Sequence, residues 1–305
     1  MTEARPTTVG FVGLGNMGFP MVTNLVEAGF TVRGFDVAAA AVEKITTVGA
    51  AGSATAAESA AGADVLILML PNSRIVQSVV DELLAASALS ESTVVVDMSS
   101  SEPVATQELA GRLAELGIAL IDAPVSGGVR GAENGTLAIM AGGEDAAFER
   151  VEAVLAALGK VTRTGPVGSG HAVKAFNNLL SATHLWVTSE VMEAGKRFGL
   201  DPEVMLSVFN SSSGRSGSTE NKWPNFILGE TYNSGFGLAL MLKDMRIALA
   251  LAETTGASHQ LSADAVERWS LAAADLSPTA DHTEVARWIA ETDPAVDPLV
   301  KPEEH

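Results

Sequence analysis

Short apolar runs alternate with amphipathic stretches along the first half of the chain. Val65–Leu70 is apolar throughout, as is typical of a strand buried on both faces of a sheet. Similar runs predict five more strands, at Val9–Val12, Thr31–Phe35, Thr93–Asp97, Ile118–Asp122 and Leu137–Ala141. Helices are predicted between them, including Asn16–Ala28, Pro103–Leu116 and Asp145–Leu158. The alternation predicts an α/β fold with a doubly wound parallel sheet and helices on both faces.

The pattern changes after about Thr164. One long apolar-rich helix is predicted over Gly170–Phe198, and further helices, separated by Gly, Ser and Asn clusters, continue to about Glu291. We therefore predict a sheet domain over residues 1–167 and an all-α C-terminal domain over residues 168–291, joined by the long helix. Residues 292–305 are rich in proline and acidic side chains and are predicted to form a mobile tail.

A glycine-rich turn joins the first strand to the first helix and fits the pattern G-x-G-x-x-G. Its first glycine permits a tight turn, its second lets the backbone approach a pyrophosphate, and its third lets the helix pack closely on the sheet. The helix N-terminus then attracts phosphate. The context predicts a Rossmann-type NAD(P) site, although the glycines could also only shape a turn. The predicted contacts are Gly13, Leu14, Gly15, Asn16, Met17 and Gly18.

Asp36 ends the next strand. A carboxylate here would accept hydrogen bonds from the adenosine ribose hydroxyls and would repel a 2′-phosphate. We therefore expect NAD as cofactor, with NADP as the alternative.

Two more loops follow predicted sheet strands, where a cofactor crevice is expected. We predict backbone contacts from Leu70 and Pro71 and a hydroxyl contact from Ser99 or Ser100. The serines could instead cap the helix that starts near Pro103.

Ser126, Gly127 and Gly128 follow another predicted strand. Their hydroxyl and N–H groups could form a small anion-binding nest suited to a substrate carboxylate. Alternatively, the three residues could form only an ordinary turn. Further on, Lys174 and Asn178 stand four residues apart near the start of the long helix, and so share one helical face. A lysine beside a hydrogen-bonding amide could donate a proton to a carbonyl oxygen.

Composition narrows the classes of partner. The chain has 305 residues and a formal net charge of -18, with 19 Lys and Arg against 37 Asp and Glu. Such a charge argues against nucleic acid and anionic membranes as partners. There is no cysteine, and the five histidines form no metal-binding pair at helical spacing, so no metal site is expected. The N-terminus lacks the pattern of a secretory signal, which favours a cytoplasmic location.

Four motifs, in order, resemble the β-hydroxyacid dehydrogenase family, which includes 3-hydroxyisobutyrate dehydrogenase and tartronate semialdehyde reductase. They are GFVGLGNMG, DAPVSGG, GSGHAVKAFNN and GFGLALMLKD, and they span positions 10 to 244. The resemblance implies hydride transfer between a nicotinamide cofactor and a small 3-hydroxy acid, or its semialdehyde or keto form. It also implies a homodimer or homotetramer.

The resemblance implies roles for individual residues. Lys174 is the expected general acid and base, Asn178 orients the substrate, and the site for the substrate carboxylate is Ser126, Gly127 and Gly128. Lys243 is expected to reach the cofactor. Asp244 could be a carboxylate on the helix surface, or one that contacts the residues of the site and not the ligand itself.

Other functions stay open. An imine reductase of the same scaffold usually replaces the lysine, and a 6-phosphogluconate dehydrogenase has a much longer helical domain. A non-catalytic dinucleotide-binding protein is a further alternative. Arg215 and Lys222 lie in a polar segment, Asn210–Trp223, that is predicted to be a loop. Each could meet the distal part of a substrate or be a solvated loop charge.

Overall fold

The computed structural model describes residues 7–292. The chain forms two compact units, of which the first ends at Lys174 and the second begins at Ala175. The domain limits predicted at 167/168 and 291/292 stay predictions. Apart from Thr292, the predicted tail lies outside the described residues.

The first unit is built on one sheet. Its strands are β1 (Thr8–Val12), β2 (Thr31–Phe35), β3 (Ala51–Gly52), β4 (Val65–Leu68), β5 (Val94–Asp97), β6 (Ala119–Asp122), β7 (Val125–Ser126), β8 (Leu137–Gly142) and β9 (Gly159–Gly165). The spatial order is β3-β2-β1-β4-β5-β6-β8-β7, with β9 also paired to β8. Strands β1 to β6 pair in parallel. The strand order reverses at β1, which confirms the predicted Rossmann-type, doubly wound sheet.

The edge of the sheet beyond β6 differs from the predicted parallel sheet, because it contains antiparallel pairs. Strand β8 pairs antiparallel with β6 and with β7, and β9 then runs parallel to β8. The sequence pattern also missed β3 and β7, which have two residues each, and β9, whose polar residues are largely exposed. Strands this short, or this polar, carry no apolar run to recognise.

Helices cover both faces of this sheet. They are α1 (Gly18–Glu27), α2 (Ala39–Thr46), α3 (Ala56–Ala60), α4 (Ser73–Ala85), α5 (Pro103–Ala114), α6 (Gly128–Glu133) and α7 (Asp145–Ala156). Along β4, Val65 and Ile67 belong to one buried cluster, and Leu66 and Leu68 belong to another. Alternate side chains thus enter separate cores, which explains why this strand is apolar at every position.

The second unit is helical. Its elements are the continuation of α8 (Ser169–Phe198), α9 (Pro202–Asn210), a π-helix (Ser218–Ile227), α10 (Leu238–Thr254), α11 (Gln260–Asp275), a 3₁₀-helix (His282–Glu284) and α12 (Val285–Glu291). Trp269 is fully buried in its core and packs against Trp186 in a tilted arrangement, at a centroid distance of 6.2 Å. No helix within residues 7–292 is long and apolar enough to span a bilayer.

The segment predicted to be a polar loop, Asn210–Trp223, is only partly irregular. The π-helix begins at Ser218 and contains Pro224. The loop prediction failed because serine, threonine and asparagine dominate the sequence, whereas Ser218, Thr219 and Trp223 are buried. Packing against the helical core therefore overrides the local preference of these residues for loops.

Candidate active site

The glycine-rich turn after β1 has the geometry of a dinucleotide site. Gly13 has φ +101°, and a Cβ at this position would overlap the carbonyl oxygen of Met69. A Cβ at Gly18 would overlap the carbonyl oxygen of Gly13. At Gly15, by contrast, no described atom lies within 4 Å of the Cβ position. Two glycines thus permit the protein's own packing, and the middle one leaves the backbone open to a ligand.

Asp36 lies directly against this turn. Its Oδ2 accepts a hydrogen bond from the Leu14 N–H at 2.7 Å, and its Oδ1 accepts one from the Ala38 N–H at 2.9 Å. A carboxylate can accept about four hydrogen bonds, so it keeps capacity for a ribose hydroxyl. A cavity of about 580 Å³ adjoins the turn and is lined in part by Leu14, Gly15 and Asn16. The predicted phosphate and ribose contacts are therefore brought together, and they fit a dinucleotide.

The loops after β4 and β5 are fastened to each other. The Oγ atom of Ser99 accepts a hydrogen bond from the Leu70 N–H at 2.9 Å, and Ser99 is buried. The Ser101 hydroxyl donates to Asp97 Oδ2 at 2.7 Å. The N-cap of α5 is Glu102, with no side-chain cap bond, so the interpretation of these serines as helix caps is wrong. Ser100, between these two serines, is half-buried.

Ser126, Gly127 and Gly128 form the turn between β7 and α6. Gly127 has φ +126° and Gly128 has φ +59°, values that disfavour any side chain. Ser126 is half-buried beside them. Successive N–H groups in such a turn form a concavity that suits an anion.

A buried network holds the first turn of α8, which carries the catalytic candidate. Asp122, at the end of β6, accepts hydrogen bonds from the Gly168 N–H at 2.7 Å and the His171 N–H at 2.8 Å. The His171 ring contacts the Thr106 hydroxyl through Nδ1 and the Ser99 carbonyl through Nε2. Burial raises the pKa of Asp122, against the opposing effect of His171. These contacts make His171 and Asp122 structural. The sequence places both residues in motifs, DAPVSGG and GSGHAVKAFNN, but does not show that they bind each other.

Lys174 and Asn178 follow on α8, and both side chains are buried. Asn178 Nδ2 donates to Asp244 Oδ2 at 2.6 Å, and Lys243 Nζ lies 3.1 Å from Asp244 Oδ1. Asp244 is only 2% exposed, so the helix-surface interpretation of this carboxylate is wrong. Asn177 is exposed and donates to Asn178 Oδ1 at 3.2 Å. The second unit thus joins three residues of the third and fourth motifs in one polar cluster, in which Asn178 and Asp244 are buried and Lys243 is half-buried.

The two cations of the segment after α9 have different surroundings. The side chain of Arg215 is 64% exposed, and its Nη1 lies 3.6 Å from Glu220 Oε1. Lys222 is half-buried, and its Nζ donates to the Ser181 hydroxyl at 2.7 Å. Arg215 therefore fits the description of a solvated charge, and Lys222 does not.

Two family models cover this chain. The model described as the NAD binding domain of 6-phosphogluconate dehydrogenase matches residues 8–190. The model described as NAD-binding of NADP-dependent 3-hydroxyisobutyrate dehydrogenase matches residues 168–289. A 2-(hydroxymethyl)glutarate dehydrogenase of Eubacterium barkeri is 42% identical, over 79% of this chain and 81% of its own length. The chain belongs to the β-hydroxyacid dehydrogenase family.

Further relatives agree with this family. An NAD-dependent L-serine dehydrogenase of Pseudomonas aeruginosa is 36% identical, over 86% of this chain and 91% of its own length. The solved structure of the Mycobacterium tuberculosis 3-hydroxyisobutyrate dehydrogenase with L-serine has a TM-score of 0.87 and 33% identity, and the match covers 93% of this chain and 99% of that one. An imine reductase of Myxococcus stipitatus, at 17% identity and a TM-score of 0.62, shares the fold. As a β-hydroxyacid dehydrogenase, the protein is a nicotinamide-dependent oxidoreductase that acts on a hydroxy acid.

Proposed function

We propose that this β-hydroxyacid dehydrogenase oxidises a small 3-hydroxy acid, or reduces the corresponding semialdehyde or keto acid, with Lys174 as general acid and base. The observation that carries the proposal is the buried pair of Lys174 and Asn178 on one face of α8, with Asn178 held by Asp244. A buried lysine held beside an oriented amide is suited to proton exchange with a substrate hydroxyl.

The proton transfer has a simple balance. In the oxidation, Lys174 Nζ accepts the hydroxyl proton while the adjacent carbon gives up a hydride, and in the reduction it returns that proton to the carbonyl oxygen. When bound, the nicotinamide cofactor supplies the hydride acceptor or donor. The amide of Asn178 orients the substrate oxygen and the lysine, because its own orientation is fixed by the bond to Asp244.

The substrate carboxylate is assigned to Ser126, Gly127 and Gly128. The left-handed φ values of both glycines support an N–H nest at this turn. The cofactor is assigned to the turn Gly13–Gly18, with Asp36 on the ribose, the backbone of Leu70 and Pro71, the hydroxyls of Ser99 and Ser100, and Lys243. Since the Ser99 Oγ atom accepts the Leu70 N–H, its contribution is to position that backbone.

NAD is the proposed cofactor. Asp36 places a carboxylate where the adenosine ribose would lie, and a 2′-phosphate would be repelled there. One relative is named as NAD-dependent, and one matching family model is described as NADP-dependent. The preference of this protein for NAD over NADP is therefore measured separately.

We also propose a cytoplasmic homodimer or homotetramer. Helix α8 exposes Val173, Phe176, Leu180, Val187 and Val191. Successive members of this set are three, four, seven and four residues apart, which is typical of a helical contact face. A second copy of the chain is the occupant that the family resemblance favours. Sedimentation of the wild type and of a Leu180→Glu variant tests this, and a monomeric wild type would contradict it.

The reaction is tested with a panel of substrates. Purified protein is mixed with NAD or NADP and with 3-hydroxyisobutyrate, L-serine, glycerate or 2-(hydroxymethyl)glutarate, and reduced nicotinamide is followed by absorbance. We expect turnover of at least one hydroxy acid, faster with NAD. Reduction of a cyclic imine without oxidation of any hydroxy acid would favour the imine reductase, and NADH binding without any turnover would favour the non-catalytic protein.

A further inference from the structure

Helix α8 carries a third polar residue on the face of the catalytic candidate. Ser181 follows Lys174 by seven residues and Asn178 by three. Residues separated by three, four and seven positions lie on one side of a helix. The half-buried Ser181 accepts a hydrogen bond from Lys222 Nζ through its hydroxyl at 2.7 Å, and a longer one through its carbonyl oxygen at 3.4 Å. A second cation thus reaches the same helix face two turns beyond Lys174.

The charge of Lys222 is not neutralised by a nearby carboxylate. Within residues 7–292, no Asp or Glu oxygen lies within 4.0 Å of its Nζ. The carboxylate that influences it is Asp281, which already accepts hydrogen bonds from Ser234, from the Gly235 N–H and from Thr283. A partly buried ammonium group without a counter-ion is costly unless a ligand supplies the negative charge.

The pKa values of Lys222 and of the neighbouring His282 are consistent with an anion site. Burial lowers the pKa of Lys222 to about 8, against the opposing effect of Asp281, so the side chain is mostly charged at neutral pH. Burial, together with the charge of Lys222, lowers the pKa of His282 to about 4. His282 is therefore neutral at pH 7 and adds no competing charge.

The backbone around Lys222 is also unusual. Lys222 lies in the π-helix Ser218–Ile227, two residues before Pro224. Widened turns of this kind are rare in α-helical proteins and occur frequently at functional sites. The lysine is thus presented by a distorted helix and not by a mobile loop.

We propose that Lys222, supported by Ser181, binds a second carboxylate at the end of the substrate remote from the reacting hydroxyl. This inference rests on the proposed function and narrows its substrate class to 3-hydroxy acids that carry two carboxylates. The alternative position for a distal charge, Arg215, is exposed and paired with Glu220.

The spacing along α8 fits a substrate of this size. Seven residues of α-helix rise by about 10 Å, which separates the anchor points of Lys174 and Ser181. A three-carbon acid has no second anion to reach Lys222, whereas a branched five-carbon dicarboxylate extends along the helix face.

The test compares matched pairs of ligands. 2-Methylglutarate and isobutyrate lack the hydroxyl and cannot react, and they differ by one carboxyethyl group in place of a methyl group. Isothermal titration in the presence of NAD gives their affinities, and the kcat/KM values of 2-(hydroxymethyl)glutarate and 3-hydroxyisobutyrate give the same comparison for turnover. The variants are Lys222→Met, which removes the charge, and Lys222→Arg, which keeps it. Lys196→Met, at an exposed position of α8, is the control.

We expect wild type to bind the dicarboxylate at least about tenfold more tightly than the monocarboxylate, as a charge-assisted hydrogen bond allows. Lys222→Met abolishes that preference, Lys222→Arg retains most of it, and Lys196→Met leaves it intact. Equal affinities in wild type, or a preference that survives in Lys222→Met, would overturn the proposal. A Lys222-dependent preference in a protein that oxidises no hydroxy acid would contradict the proposed function alone.

Discussion

The side-chain amide of Asn178 donates to the buried carboxylate of Asp244 at a distance of 2.6 Å. Because an ionised carboxylate only accepts hydrogen bonds, this bond determines which end of the amide is nitrogen. The second N–H of the same amide can then serve a substrate oxygen. We therefore propose that Asp244 is a positioning residue, which acts through Asn178.

Removal of Asp244 is expected to impair the substrate step and spare the cofactor step. In Asp244→Ala the amide loses its fixed orientation, and we expect kcat/KM for the hydroxy acid to fall by about 10- to 100-fold. Asp244→Asn keeps an acceptor without the charge and should give an intermediate loss. NADH affinity, measured by fluorescence titration, should change little. The control is Asp264→Asn, at an exposed position of α11. An unchanged kcat/KM in Asp244→Ala would refute this role.

Substitutions of two glycines in the turn after β1 should have different effects, one on cofactor binding and the other on stability. A Cβ at Gly15 meets no described atom within 4 Å, whereas one at Gly18 overlaps backbone. We expect Gly15→Ala to keep the melting temperature of wild type and to lose at least about tenfold in NAD affinity. Gly18→Ala should instead lower the stability by about 1–3 kcal/mol or more. Gly111→Ala, in an exposed and equally open site on α5, is the control. Normal NAD affinity in Gly15→Ala would argue against the assignment of this turn.

Much of the fold could be read from the sequence because its signals are local. The apolar run in β4 and the glycine turn each specify their structure within a few residues. The antiparallel pairing of β8 with β6 depends on neighbours distant in sequence, and β3 and β7 are too short to show a pattern. The π-helix was missed because packing of Trp223 outweighs the loop preference of the residues before it.

In the candidate site, too, local features could be predicted from the sequence and contacts between distant residues could not. Lys174 and Asn178 became candidates through their helical spacing, and the family resemblance added their roles and that of Ser126, which stay predictions. The partners of these residues could not, since Asp244 lies 66 positions from Asn178 and Lys222 lies 41 positions from Ser181. A hydroxyl contact to a ligand was expected from Ser99 or Ser100, and the bond that the Ser99 Oγ atom accepts from the Leu70 N–H could not be foreseen. Such pairings arise only when the chain folds.

Asp36 is expected to set the cofactor preference. Asp36→Asn removes the charge and keeps an oxygen that can accept the Leu14 N–H, which is bonded at 2.7 Å in the wild type. We expect the ratio of kcat/KM with NADP to kcat/KM with NAD to rise by roughly tenfold or more, because the repulsion of the 2′-phosphate is lost. Glu43→Gln, an exposed change on α2, should leave the ratio unaltered. A wild-type enzyme that already prefers NADP is the result that contradicts this assignment.

The stability of the protein should depend on pH through Lys222. Its pKa is lowered from 10.5 to about 8 in the folded state, so between these values the unfolded chain binds more protons. Stability therefore rises with pH across this window, and the cost of the buried charge is fully present below pH 8. Melting temperatures of wild type and Lys222→Met are the measurement. Lys222→Met should melt higher at pH 7, and the difference should shrink from pH 8 to 10.5. A constant difference would show that Lys222 is not held as a buried charge.

The most direct test of the proposed chemistry is the turnover of Lys174→Met, measured beside its affinity for NADH. The methionine occupies similar space but cannot exchange a proton. We expect kcat for the best hydroxy acid to fall by about 10²- to 10⁴-fold, while NADH binds with nearly wild-type affinity. Turnover close to that of wild type in this variant would show that Lys174 is not the general acid and base.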